Sequence, residues 1–237
     1  MPGAWIVEQR EGDAASLHAA WPSAARCPRL ARVAICRVTA PAVVLGSTQP
    51  EHVVDRDRAA GAGIAVVRRR SGGGAVLVTP DDPVWIDVWL PAAHPLWCRD
   101  VGRAFDWLGD AWVDSLTRAG IAGLTAHRQG FVSCTRWSSL VCFGGVGTGE
   151  VVTADGRKVV GLAQHRNRDG AWFHGACVLR WDPTALLDLL AMTDAERSAA
   201  AAGLDATVTG VSELFELSGM PAADGQVIAS AFVHSLP

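Results

Sequence analysis

Tyrosine is absent from the 237 residues, although tryptophan occurs ten times and phenylalanine six, so no phenol is available for acid–base or nucleophilic chemistry. Charge is scarce too: Asp, Glu, Lys and Arg make up 19% of the chain and leave a net charge of −3. The arginines are dispersed apart from one run, Arg68-Arg69-Arg70. That balance gives no electrostatic basis for binding nucleic acid. No apolar run approaches the roughly 20 residues that a membrane-spanning helix needs. Met1-Pro2-Gly3-Ala4-Trp5 lacks the basic region and apolar stretch of a secretory signal, so a cytoplasmic protein with no membrane partner is expected. The six cysteines (Cys27, Cys36, Cys98, Cys134, Cys142, Cys177) show neither CxxC spacing nor a zinc-type Cys/His cluster. No metal site is expected, and in a reducing compartment these are free thiols, mostly in the core.

What is present is apolar. Hydrophobic residues make up 49% of the chain, and the length fits one domain, with no repeat, linker or low-complexity segment to divide residues 1–237. Runs rich in β-branched residues at 33–38, 42–45, 64–67, 75–78 and 84–90 read as strands, and glycine-rich turns separate further strands at 140–143, 150–153, 158–164 and 172–179. Asp155-Gly156 signals a hairpin. Helices are expected at 13–20, ended by Pro22, and at 51–60. Another follows the stripe Trp97, Val101, Phe105, Leu108, Trp112 and Leu116, stopped by Gly120. Pro183 opens one through Leu190, and 195–202 and 224–235 complete the set. The fold class is α+β (mixed α/β), with at least part of the sheet antiparallel.

Three segments could carry chemistry. Arg68-Arg69-Arg70-Ser71-Gly72-Gly73-Gly74-Ala75-Val76 puts cations beside bare backbone between two strands, in what reads as a strand-to-strand turn. Arginines at alternate positions 68 and 70 would share a strand face. Exposed N–H groups beside fixed positive charge suit a carboxylate, phosphate or acyl carbonyl, although a solvated basic turn is the plainer alternative. Gly156-Arg157-Lys158-Val159-Val160-Gly161-Leu162-Ala163-Gln164 starts an apolar strand with a lysine. Half-buried, that lysine could steady a developing oxyanion or phosphate, or take a proton from a nucleophile; an edge lysine facing water is the alternative. Cys142 lies in an apolar segment ahead of Gly144-Gly145-Val146-Gly147. Buried it would be inert, and beside a cation it would be nucleophilic. His174 and His127 read more readily as structural histidines.

Together these segments resemble the biotin/lipoate protein ligase and octanoyltransferase superfamily, in its lipoate–protein ligase A and lipoyl/octanoyl transferase branch, over roughly residues 30–180. The Arg-Arg-x-Ser-Gly-Gly-Gly-Ala-Val motif is matched by Arg68, Arg69, Ser71, Gly72, Gly73, Gly74, Ala75 and Val76. The Gly-x-Lys motif with its catalytic lysine is matched by Gly156, Lys158, Val159, Gly161, Ala163 and Gln164. Phe173-His174-Gly175 resembles the family's segment on the following strand, and Leu45-Gly46-Ser47-Thr48-Gln49 the loop closing over the acyl chain. The resemblance implies a single catalytic domain without an accessory C-terminal domain, built on a mixed, largely antiparallel sheet flanked by helices. It implies an acyl tunnel beside the glycine turn, with substrate held by Arg68, Arg69, Ser71, Gly72, Gly73, Gly74, Ala75, Gly161, Ala163, His174 and Gly175. The implied chemistry is acyl transfer to a lysine of a lipoyl or glycine-cleavage carrier domain.

Two departures shape the alternatives. The family's His-x-x-Gly-Asn after Ala-Val is replaced here by Leu77-Val78-Thr79-Pro80-Asp81-Asp82. The Gly-Arg-Asn-Asp segment of ATP-dependent ligases is replaced by Val141-Cys142-Phe143-Gly144-Gly145, and Cys142-Phe143 matches a subgroup of transferases that use this cysteine as nucleophile. Three readings follow. The first is a transferase moving octanoate or lipoate through a Cys142 thioester with help from Lys158, needing no cofactor and using a carrier-bound or small-molecule donor. The second is a ligase using ATP and Mg²⁺, in which Arg68, Arg69 and Lys158 hold an acyl-adenylate. The third is a non-catalytic acyl- or carboxylate-binding relative.

Overall fold

The computed structural model describes residues 5–20, 30–218 and 224–237. Its strands are β1 (Ile6–Gly12), β2 (Arg32–Val38), β3 (Ala42–Leu45), β4 (Ala65–Arg68), β5 (Val76–Val78), β6 (Val84–Pro91), β7 (Thr125–Ala126), β8 (Val132–Ser133), β9 (Gly145–Val146), β10 (Val151–Val152), β11 (Lys158–Arg166) and β12 (Gly170–Cys177). The helices are α1 (Ala14–Ala19), α2 (Arg56–Gly61), α3 (Asp106–Arg118), α4 (Pro183–Leu187), α5 (Asp194–Asp205), α6 (Val211–Ser218) and α7 (Gly225–His234). A seven-stranded sheet runs β1-β2-β6-β12-β11-β10-β7, parallel between β1 and β2 and antiparallel elsewhere. A smaller sheet has the order β4-β3-β5, and β8 pairs with β9.

Strand β6 is buried along its whole length, and its alternation supplies two different layers. Val84, Ile86, Val88 and Leu90 join a core formed with Leu108, Trp112 and Leu116 of α3 and Ile228 and Phe232 of α7. Trp112 and Phe232 meet with ring centroids 4.6 Å apart. Each such fully buried side chain contributes about 1.5–3 kcal/mol. Trp85 faces the other way and packs with Ala14 and Leu17 of α1 and with Val44 and Val78 of the small sheet. Helices α4 and α5 close the outer side of that sheet through Leu186, Leu187, Ala200 and Leu204, together with Leu190 between them. Helices therefore flank one face of the large sheet, while the other face is covered chiefly by a second sheet.

The glycine segment proves not to be a simple turn. β4 and β5 do not pair with each other; each pairs with β3, from opposite sides. Residues 69–75 must therefore cross the end of β3, where Gly46 sits. A Cβ on Gly46 would lie 1.9 Å from the Gly73 carbonyl oxygen, and one on Gly74 2.6 Å from the Cys142 nitrogen. Gly73 has a φ of 100°, in the region that favours glycine. The run of glycines is set by the close approach of three backbone segments.

Several sequence expectations shift for identifiable reasons. The 13–20 helix is present as α1, capped by Asp13, which accepts from the Ser16 N–H at 2.8 Å. Pro22 as its stop, Cys27 and residues 1–4 lie outside the described residues. The 51–60 helix is broken: a single 3₁₀ turn over Glu51–Val53 is followed by α2, restarted by the Asp55 cap. The Trp97–Leu116 stripe overreaches, because α3 begins only at Asp106 after a 3₁₀ turn. Trp97 reaches the core from a loop, beneath the Arg166 guanidinium 4.3 Å from its ring. The expected strand at 140–143 reduces to a bridge between Ala75 and Val141, followed by a 3₁₀ turn over Cys142–Gly144. Strands β1, β7, β8 and β9 and helix α6 lie outside the sequence expectations. β1 is a polar edge strand whose Glu8 pairs with Arg10 and Arg32.

Substituting Gly74→Ala forces a methyl into the Val141–Cys142 backbone, and overpacking of this kind costs about 1–3 kcal/mol. Gly72→Ala meets nothing within 4 Å. Thermal unfolding should show Tm falling by several degrees for Gly74→Ala and holding within about 2 °C for Gly72→Ala; equal Tm values for the two variants would contradict the crossing geometry.

Candidate active site

Lys158 is the first residue of β11, immediately after the hairpin at Asp155-Gly156, where Gly156 has a φ of 87°. Its side chain is 1% exposed, neither half-buried nor an edge group in water. The ammonium sits 2.6 Å from Glu150 Oε2 and donates to the carbonyls of Cys142 at 3.1 Å and Gly145 at 2.9 Å. The Phe143 ring lies 5.0 Å from Nζ. Lysine has three N–H donors, and this arrangement engages all three. Glu150 is itself buried and accepts from the Gly147 N–H at 2.7 Å and the Leu162 N–H at 2.9 Å. A buried ammonium without such a partner would be strongly destabilising. Lys158 thus holds the short turn that carries Cys142, while Glu150 ties it to β11 and the 144–147 loop.

Cys142 is partly exposed and opens that turn. Its N–H donates to the Ala75 carbonyl at 3.0 Å. A Cβ built on Gly73 would lie 3.6 Å from the Cys142 sulfur and 2.9 Å from Arg69 Nη2, so the sulfur faces the glycine crossing. Two spaces meet at this residue. An outer cleft of about 590 Å³ is lined by Gly72, Gly73, Gly74, Cys142, Lys158, Leu162 and Ala163, among others. An inner, mostly apolar cavity of about 60 Å³, sized for the end of a chain, is bounded by Val44, Val76, Phe143, Gly161, His174 and Gly175. Cys142, Leu162 and Ala163 line both.

The arginines differ from the expectation of a shared face. β4 ends at Arg68, and the chain then turns Arg69 inward to 5% exposure. Arg69 donates to the carbonyls of Val44 (3.1 Å), Gly72 (2.8 Å) and Gly74 (2.8 Å). Burial lowers its pKa, and its coupling to Cys142 opposes that shift. Arg68 donates to the carbonyls of Gly46 (2.8 Å) and Gln49 (2.5 Å). Both guanidinium groups therefore brace the loops of the site. Ser71 is buried, with its carbonyl accepting from Ser47 at 2.9 Å, and Ala75 lies behind Cys142. Arg68, Ser71 and Ala75 contribute to neither lining. His127 is peripheral, its Nε2 3.1 Å from the Gly130 carbonyl.

Three polar residues of this region escaped the sequence reading. Glu150 sits at the start of an expected strand, one hairpin arm before Lys158. Asp87 is a lone carboxylate inside an apolar strand, a signal of a required partner. It lies opposite His174 in the β6–β12 register, with Oδ1 2.6 Å from His174 Nδ1 and accepting from Trp85 Nε1 at 2.6 Å. His18 comes from α1, far away in sequence, and its ring stands 5.2 Å from that of His174.

Known proteins resemble this chain in sequence and in fold. The family profile described as lipoyl protein ligase A/B catalytic domain matches residues 26–232. The octanoyltransferase LipM of Kyrpidia tusciae is 32% identical over 139 residues, covering 58% of this chain and 50% of that protein. The chain thus spans about half the length of the curated relatives it matches. A bi-partite lipoate protein ligase from Thermoplasma acidophilum, solved in a study that includes its E2 lipoyl domain, superposes with a TM-score of 0.72 at 18% identity, covering 99% of this chain and 82% of that one. A lipoate-protein ligase A bound with ATP gives 0.68 at 18% identity over 99% and 84%. At these identities the structural matches speak for the fold, and the profile match for the lineage: the chain belongs to the lipoyl protein ligase A/B catalytic-domain family.

Proposed function

We propose that the protein is an acyltransferase that moves an octanoyl or lipoyl group through Cys142 onto a lysine of a lipoyl or glycine-cleavage carrier domain. The observation that carries this reading is the place of Cys142, at the junction of an open cleft and an apolar cavity, on a turn clamped by a buried Lys158–Glu150 pair. The Cys142 sulfur attacks the carbonyl of a thioester donor. The carbon–sulfur bond to the donor breaks, and the donor thiol leaves with the proton from Cys142. The ε-amine of the acceptor lysine then attacks the Cys142 thioester, the amide forms, and the sulfur regains its proton. Lys158 supplies positive charge at the Cys142 backbone, 3.1 Å from its carbonyl oxygen. To reach an acyl oxygen directly it would release the Cys142 carbonyl, the longest of its three contacts. The similarity to an octanoyltransferase favours this reading.

The ligase alternative asks Arg68 and Arg69 to hold an acyl-adenylate. Both guanidinium groups are engaged with backbone carbonyls, and Val141–Gly145 places no carboxylate where the resemblance puts the nucleotide and Mg²⁺ ligands. The residues present do not fit that group.

Intact-mass measurement of enzyme and a lipoyl-domain acceptor, with octanoyl carrier protein or with lipoate plus ATP, separates the readings. An acyl adduct on the enzyme without ATP, lost in Cys142→Ser, is the expected outcome. Acceptor modification that requires ATP and survives Cys142→Ser would overturn the proposal, and no modification under either condition would leave a binding protein.

The Lys158–Glu150 clamp generates a second expectation. Glu150→Gln leaves a buried ammonium short of its counter-charge, a change that costs about 3–5 kcal/mol. Urea unfolding should show that loss, and the rate of enzyme acylation should fall at least about tenfold. The double variant Glu150→Gln/Lys158→Met should be more stable than Glu150→Gln alone, because it removes the orphaned charge. A double variant less stable by the sum of the two single losses would show that the pair does not act as a unit.

A further inference from the structure

The inner cavity does not end in solid core. Its lining, which also takes in His18, Val78 and Trp85, shares Val76, Pro83 and Phe143 with a second space of about 260 Å³. That space is a groove lined by Ala75, Leu77, Val141, Val178, Trp181 and Leu186, among others, and it touches none of the remaining cavity residues. The three shared side chains are therefore a wall with a space on each side. Phe143 is the largest of them and is 4% exposed. It packs with Cys142 and Ala176, which line the cavity, and with Val178 and Trp181, which line the groove. Its ring is pinned in that position. Lys158 Nζ stands 5.0 Å from the ring centroid and the Trp181 ring 5.8 Å away, a cation and an indole that both favour an aromatic neighbour. A Cβ on Gly161 would come within 3.3 Å of Phe143 Cζ, so the ring also fills the space up to β11.

On the scale on which one water-sized group needs about 10–15 Å³, the cavity takes roughly four to six chain carbons. With the acyl carbon held at Cys142, a chain of about eight carbons reaches the wall. Further methylenes would have to displace packed side chains, which is destabilising. The groove behind the wall is several times larger than the cavity. Without the ring the two spaces join, and each added methylene that is buried there is worth about fourfold in affinity. Resting on the acyl-transfer reading for the occupant of the cavity, we infer that Phe143 limits the length of the acyl chain as a partition between cavity and groove. Opening that partition turns the protein toward chains of about twelve carbons. The turn held by Lys158 thus carries both the Cys142 sulfur and, one residue later, the stop for the chain.

Binding of free acids measures the cavity without requiring the reaction. Calorimetry on the intact protein should show octanoate binding at least about tenfold tighter than dodecanoate. Phe143→Ala should reverse that order by about tenfold or more, with the two acids competing for one site. Leu77→Ala, which enlarges the groove behind an intact wall, should keep the original order. Dodecanoate binding the unaltered protein as tightly as octanoate, an order unchanged in Phe143→Ala, an equal reversal in Leu77→Ala, or binding of neither acid would overturn the inference. Should Phe143→Ala not fold, Val76→Ala thins the same wall from β5. Dodecanoate should then gain at least about threefold on octanoate, and no gain would overturn it. Intact mass of the unaltered protein with a thioester donor keeps the two ideas apart. A preference that Phe143→Ala reverses, in a protein that forms no acyl adduct, would sink the thioester reading and leave the partition standing. An adduct on Cys142 with a chain-length order indifferent to Phe143 would do the opposite.

Discussion

An ammonium group that is 1% exposed survives only where its charge and its three donors are met, and the candidate site is arranged around meeting them. Glu150 supplies the charge, and the carbonyls of Cys142 and Gly145 take the remaining donors. Each of these contacts is also a structural constraint. The carbonyl of Cys142 fixes the turn on which the sulfur sits, that of Gly145 fixes the loop after it, and Glu150 locks both to β11 through the Gly147 and Leu162 amides. The same interaction therefore positions the turn that carries Cys142 and sets a positive charge against its backbone.

The second constraint is the crossing of the glycine segment over the end of β3. Two loops approach until a Cβ on Gly46 would nearly coincide with the Gly73 oxygen. Arg69 binds the carbonyls on both sides of Gly73, and Arg68 binds the 46–49 loop. The guanidinium fork, with several donors in one plane, suits this bracing role. Gln49 adds a tie, accepting from the Gly46 N–H and donating to the Leu140 carbonyl. The arginine motif thus shapes the wall of the cleft from behind, with the backbone of Gly72–Gly74 presented to it.

Much of this was legible in the chain itself. Alternation and turn residues located the strands that hold Lys158 and His174, and the Asp155-Gly156 hairpin set the lysine at its strand start. What the sequence could not show depended on pairing between distant segments. Nothing local says that β4 and β5 flank β3, so the glycines read as a turn rather than a crossing. Glu150 looked like an ordinary first strand residue until the hairpin folded it against Lys158. His18 sits on a six-residue helix with no signal of its own and enters the cavity only because α1 packs on Trp85. Strand β1 was missed because an edge strand with Glu8, Arg10 and Glu11 in it carries no clean alternation.

The account stands or falls on the sulfur of Cys142 carrying the acyl group. Peptide mapping of enzyme quenched within its first turnover, with and without neutral hydroxylamine, addresses that directly. The account predicts the acyl mass on the peptide containing Cys142 and its removal by hydroxylamine, as a thioester requires. A modified acceptor lysine with Cys142 unacylated throughout the turnover would contradict it.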